Sequence, residues 1–197
     1  MLKLPKSVTA ACGIDALSHG LEGVVSKVKV SKEDKFKSFD CVKLVLENLP
    51  MVLKDPSNVD ARQKMSRAAL YGGNAINVQL AGYVHAFAHT IGAVYHLPHG
   101  NAIALCLLPV FRFQNKKCSK KMTELSKYCN FSSTEEFYSA LEKLIGQCNL
   151  AENSKLINKK DYRSLARGIL KDSINYSSPV VLTKFDIFKI LDQIRNQ

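Results

Sequence analysis

Apolar positions recur along this chain at the three-to-four-residue spacing of helices, and almost nowhere at the alternating spacing of half-buried strands. Over 9–26, Ile14, Leu17, Leu21, Val24 and Val25 make one stripe, while Asp15, His19, Glu22 and Ser26 make a separate polar one. Phe36, Phe39, Val42, Val45, Leu46 and Leu49 predict a second helix. Pro50 is expected to end it, because proline lacks the N–H and crowds the preceding turn. A third helix is expected from Asp60, read as its N-cap, through Met65, Ala68 and Ala69 towards Asn77. A fourth covers about 78–94 and is broken by Pro98-His99-Gly100; a fifth runs from Gly100 to about Phe113. Further amphipathic pieces are expected over 121–128, 134–148, 159–171 and 183–195, with a loop over 175–183 around Pro179. Glu135 and Glu136 place acids in the first turn of the 134–148 piece, which suits the helix dipole. The expectation is an all-α fold, one helical domain over 1–197.

Composition adds what this chain is not. Of 197 residues, 46% are hydrophobic and 23% charged, which excludes disordered, collagen-like and low-complexity classes. No window approaches the roughly 18 uncharged apolar residues of a membrane span, so no membrane partner is expected. Met1-Leu-Lys-Leu-Pro-Lys has no apolar secretory core. Cys12, Cys41, Cys106, Cys118, Cys129 and Cys148 contain no C-x-x-C pair and read as free thiols of a reduced compartment, so a cytoplasmic location is expected. The net charge of +11 raises nucleic acid as a partner. However, Lys27, Lys29, Lys32, Lys35 and Lys37, and Lys116, Lys117, Lys120 and Lys121, form no interleaved arginine or aromatic pattern for base contacts. They read as solvated surface, and no nucleic acid is expected.

The chemistry gathers around histidine. His85, His89, His96 and His99 lie close together, and His19 follows Asp15 by four residues. That i,i+4 spacing puts Asp15 with His19 on one helix face and His85 with His89 on another. Imidazoles and a carboxylate so placed can converge on one cation. Between Ala61 and Thr123 there is no Asp or Glu, so a carboxylate for the histidine-rich stretch must come from elsewhere, and Asp15 is the natural supplier. One such histidine pair alone is more often a surface or satisfied core pair; two pairs beside a Pro-His-Gly break favour a metal. His96, with no i,i+4 partner, reads as a bystander.

Two long stretches then resemble the metal-binding signature of the iron-containing (group III) alcohol dehydrogenases. They are Thr9-Ala-Ala-Cys-Gly-Ile-Asp-Ala-Leu-Ser-His-Gly-Leu-Glu and Gly82-Tyr-Val-His-Ala-Phe-Ala-His-Thr-Ile-Gly-Ala-Val-Tyr-His-Leu-Pro-His-Gly-Asn-Ala, the latter continuing through 103–109. The resemblance is strong through Phe113 and weak around Pro179 and Thr183. It implies the family's helical C-terminal domain, of dehydroquinate-synthase-like architecture, with a divalent metal held by Asp15, His19, His85 and His99. Fe(II) is the family's usual metal, and Zn(II) accepts the same ligands. His89 is implied as a proton-relay or substrate-pocket residue. The implied reaction interconverts an alcohol with its aldehyde or ketone, with NAD(P) as hydride carrier.

The family's α/β cofactor domain has no counterpart here. There is no G-x-G-x-x-G, and Gly72-Gly73 sits in a helical pattern without a preceding strand. The chain is therefore expected to be a fragment or truncation that is inactive alone and contains no cofactor-binding residue. Alternatives left open are a glycerol-dehydrogenase-like or dehydroquinate-synthase-like relative, and a non-catalytic helical remnant acting as a binding module. A homo-oligomer is the one protein partner kept open.

Overall fold

A computed structural model describes residues 2–151, 154–174 and 176–197. Among them every regular element is helical, as the spacing predicts. The order is α1 (Lys6–Val25), α2 (Lys32–Lys54), α3 (Val59–Gln79), α4 (Tyr83–Tyr95), α5 (His99–Tyr128), α6 (Thr134–Cys148), α7 (Tyr162–Ser173) and α8 (Lys184–Arg195). Two short 3₁₀ turns, Ser154–Leu156 and Lys159–Asp161, precede α7.

Helix α1 is the centre of the molecule, packed against α2, α3, α4, α5 and α6. Its sequence permits this because small residues occur on several of its faces. A Cβ on Gly13 would meet Leu49 at 2.7 Å, and one on Gly23 would meet Ala75 at 2.9 Å. With neighbours on nearly every side, even its polar residues Ser18 and Glu22 are buried. Helices α2 and α3 pack together and on α1; α5 lies on α1 and carries α6 and α8, while α7 lies on α4. One apolar core runs through all of these contacts.

Several boundaries differ from expectation, each for a local reason. Helix α2 begins at Lys32, capped by Ser31, whose side chain accepts from the Asp34 N–H, and it passes through Pro50 to Lys54. Pro50 removes one N–H only four residues from the end, so the last turn survives it. Asn58, not Asp60, caps α3: its side-chain oxygen accepts from the Ala61 N–H at 2.9 Å. Asp60 instead lies in the first turn and pairs with Lys64 at 2.7 Å. The expected 78–94 helix is broken at Leu80, whose φ of 65° is left-handed, so Val78 and Gln79 belong to α3 and α4 starts at Tyr83. The pieces expected over 100–113 and 121–128 are one helix, α5. The Lys-rich 114–121 stretch is part of that helix. Lys121 turns its ammonium onto the Ser26 carbonyl at 2.5 Å, closing the end of α1. Lys35 pairs with Glu124. The expected 175–183 loop is seen from Tyr176 onwards; Asn175 lies outside the described residues.

No described helix is long and apolar enough to cross a membrane. All six cysteines are free thiols, and only Cys12 is exposed.

Candidate metal centre

Three helices meet at the histidines. Asp15 and His19 stand one turn apart near the middle of α1, His85 lies in the first turn of α4, and His99 is the first residue of α5. Glycines make the approach close. A Cβ on Gly100 would fall 2.6 Å from the Ala11 Cβ and 2.8 Å from its Cα, so only glycine lets the start of α5 lie against α1 and bring His99 to Asp15. Behind the site, Gly72 of α3 lies against the Ala16 carbonyl and the His19 Cβ, both 3.2 Å from where its own Cβ would be.

The candidate ligand atoms converge. Asp15 Oδ1 lies 3.2 Å from His99 Nε2 and 3.5 Å from both His85 Nε2 and His19 Nε2. His19 Nε2 and His85 Nε2 face each other at 3.1 Å, with the rings stacked 4.9 Å apart. Asp15, His85 and His99 each place one ligand atom within 4.8 Å of the others. The structure thus gathers three of the four residues named from the sequence, with the fourth, His19, against Asp15 and His85. His96 is elsewhere: it caps α4 in the left-handed conformation, with φ 54°, in the turn that leads to Pro98 and α5. His89 lies beside the cluster, its ring 5.6 Å from His85 and 5.4 Å from His99. Its Nδ1 is 3.0 Å from Asp172 Oδ2.

A residue the sequence reading left in a polar stripe proves central to this geometry. Glu22 is 2% exposed. Its Oε2 accepts from the His85 ring at Nδ1, 2.6 Å away, and from the Gly82 N–H at 2.8 Å; its Oε1 accepts from the His85 N–H at 3.3 Å. The carboxylate thus caps α4 from outside that helix, at the positive end of its dipole. The break at 80–82 now has a purpose. It starts a new helix where Glu22 can hold its first turn, and Gly82 leaves room for it, since a Cβ there would meet the Glu22 carboxylate carbon at 2.9 Å. With Nδ1–H donated to Glu22, His85 offers Nε2 to the cluster. That carboxylate–imidazole arrangement is the usual support of a metal-binding histidine. The signals for Glu22 were its one-turn step from His19 on the stripe and the small residues around α1, which mark a helix packed on most of its sides.

The electrostatics favour a cation. Burial works against charge on His85, yet the Glu22 charge and hydrogen bonds to Asp15 and Glu22 raise its pKa to about 10. Burial would raise that of Asp15, but hydrogen bonds from His85 and His99 and the nearness of His19 hold its carboxyl well below the usual range. Burial lowers the pKa of His19, which favours its neutral, ligating form. The field that holds a proton on His85 would also hold a metal ion. The donor set, three imidazoles and one carboxylate backed by a second, fits a divalent metal such as Fe(II) or Zn(II).

Comparison with known proteins identifies the family. Residues 9–195 match the Fe-containing alcohol dehydrogenase family, C-terminal. The chain is 34% identical over 199 residues to alcohol dehydrogenase 4 of Saccharomyces cerevisiae, covering 97% of this chain and 51% of that protein. It is 30% identical over 203 residues to 1,3-propanediol dehydrogenase of Citrobacter freundii, covering 98% and 52%. Among solved structures, the alcohol dehydrogenase from Oenococcus oeni is 30% identical with a TM-score of 0.91, covering 98% of this chain and 53% of that one. A 1,3-propanediol oxidoreductase gives 29% and 0.90, with the same coverage. The chain spans about half the length of these relatives. It belongs to the Fe-containing alcohol dehydrogenase family, of which it carries the C-terminal, all-α domain.

Proposed function

We propose that Asp15, His19, His85 and His99 hold one divalent metal, Fe(II) or in its place Zn(II), and that residues 1–197 are the metal- and substrate-binding domain of an alcohol dehydrogenase. The net reaction interconverts a small alcohol with its aldehyde or ketone, NAD(P) carrying the hydride and being bound outside this chain. The observation that carries the reading is the convergence of four side chains from three helices, the deepest of them backed by the buried Glu22. When bound, a divalent metal there supplies Lewis acidity to the substrate oxygen. The chain's own part is to fix the ligand geometry through Glu22 and to move the proton that leaves or reaches that oxygen. His89, half-exposed beside the cluster, is the group placed for that transfer. The matched relatives are alcohol and propanediol dehydrogenases, which favours this reading over the glycerol-dehydrogenase-like, dehydroquinate-synthase-like and non-catalytic alternatives.

Metal analysis of purified protein tests the assignment. Protein loaded with Fe(II) or Zn(II) should carry about one ion per chain, since one site uses all four groups. His85→Ala should lose that ion, and His96→Ala should keep it. Equal losses in both variants, or an undiminished ion in His85→Ala, overturn the ligand set.

A further inference from the structure

His89 does not stand alone. Its Nδ1 meets Asp172 Oδ2 of α7 at 3.0 Å, and the Tyr176 hydroxyl lies 3.3 Å from that nitrogen and from each Asp172 oxygen. The spacing between the two helices is set by close packing: a Cβ on Gly168 of α7 would meet the Thr90 side chain of α4 at 2.7 Å. Thr90 is the residue after His89, so α7 holds Asp172 against that ring.

The proton positions follow from the donors and acceptors present. An ionised carboxylate only accepts, so an imidazole nitrogen with a bare lone pair facing it would be repelled. Nδ1 therefore carries the hydrogen and donates it to Asp172. The Tyr176 hydroxyl then cannot donate to the same nitrogen, and it donates to the carboxylate instead. Burial, followed by the Asp172 charge, pushes the Tyr176 phenol up to about 12, which keeps it a donor. In the neutral ring the remaining nitrogen, Nε2, is bare. No described hydrogen bond engages Nε2, and the ring lies beside those of His85 and His99.

We propose that Asp172 and Tyr176 are positioning residues that lock His89 as its Nδ1–H tautomer and so leave Nε2 as the acceptor for the substrate's proton. The catalytic half of this statement rests on His89 being the relay; the tautomer half does not. Which nitrogen of a histidine works is set by the bond the other one makes. Here that bond is made by a helix outside the two motifs that carry the histidines.

Nitrogen-15 NMR of the 197-residue chain, with and without Zn(II), tests it, the His89 signals being assigned by their absence in His89→Gln. At a pH where that ring is neutral, the wild-type His89 should carry its proton on Nδ1. Asp172→Ala should move the population to Nε2–H or to a mixture, and Tyr176→Phe should move it less, in the same direction. Wild-type His89 protonated on Nε2, or an unchanged Nδ1–H signature in Asp172→Ala, overturns the proposal. In the catalytically complete enzyme, Asp172→Ala should lower kcat roughly 10–100-fold with KM and metal content little changed. If the tautomer moves but kcat does not, His89 is not the relay, while the positioning by Asp172 stands.

Discussion

Glu22 shows how one side chain can serve packing and chemistry together. Buried in the middle of the helices, its carboxylate would be unfavourable without partners, and it has three: two backbone N–H groups at the start of α4 and the His85 ring. Glu22→Gln removes the charge and turns an amide donor towards one of those N–H groups. The variant should stay helical but bind Zn(II) roughly 10–100-fold more weakly, measured by competition with a chromophoric chelator. Unchanged affinity would make Glu22 a helix cap only. Asp15, His19, His85 and His89 were legible from i,i+4 spacing, because two residues one turn apart must share a face. Glu22 was not, because the same spacing places it on a polar stripe that on an ordinary surface helix would face water. Asp172 and Tyr176 were less legible still, one at the end of a helix and the other in a loop, with only tertiary packing to bring them to His89.

At the scale of elements, α5 carries the instructive departure. A proline inside a helix frees the carbonyl four residues earlier. Pro109 frees that of Leu105, and the Gln197 side-chain amide donates to it at 3.0 Å. The helix therefore passes Pro109 and also runs on through 114–120, where a break between two pieces was expected. Gln197→Ala should destabilise the fold by about 0.5–1.5 kcal/mol in chemical denaturation. The same change in a Pro109→Ala background should have a smaller effect, because alanine's N–H restores the helical bond. An equal effect in both backgrounds would mean that Gln197 does nothing for the proline. The pattern of apolar positions gave the existence and type of the helices, since each must bury a stripe. It did not give their ends. Two of those depend on bonds from distant residues: Lys121 to the end of α1, and Glu22 to the start of α4.

For the molecule as a whole, the site sits on one face of a helical domain that spans about half the length of its relatives. On the proposed reading NAD(P) binds outside it, so the pure, metal-loaded chain should show no alcohol-dependent reduction of NAD or NADP, followed by nicotinamide absorbance. Measurable turnover would place a cofactor site within residues 1–197. The central claim is that oxygen and nitrogen, not sulfur, hold the metal, and six free thiols in one chain make that a real contest. Burial pushes the thiols of Cys41 and Cys129 up to about 12 and those of Cys118 and Cys148 to about 11, which disfavours the thiolate a metal needs. X-ray absorption at the zinc edge of the Zn(II)-loaded chain and its His85→Ala variant decides the matter. The expected spectrum has only nitrogen and oxygen neighbours at about 2.0–2.2 Å, and it is lost in the variant. A sulfur neighbour at about 2.3 Å, or a spectrum unchanged by His85→Ala, would contradict the site described here.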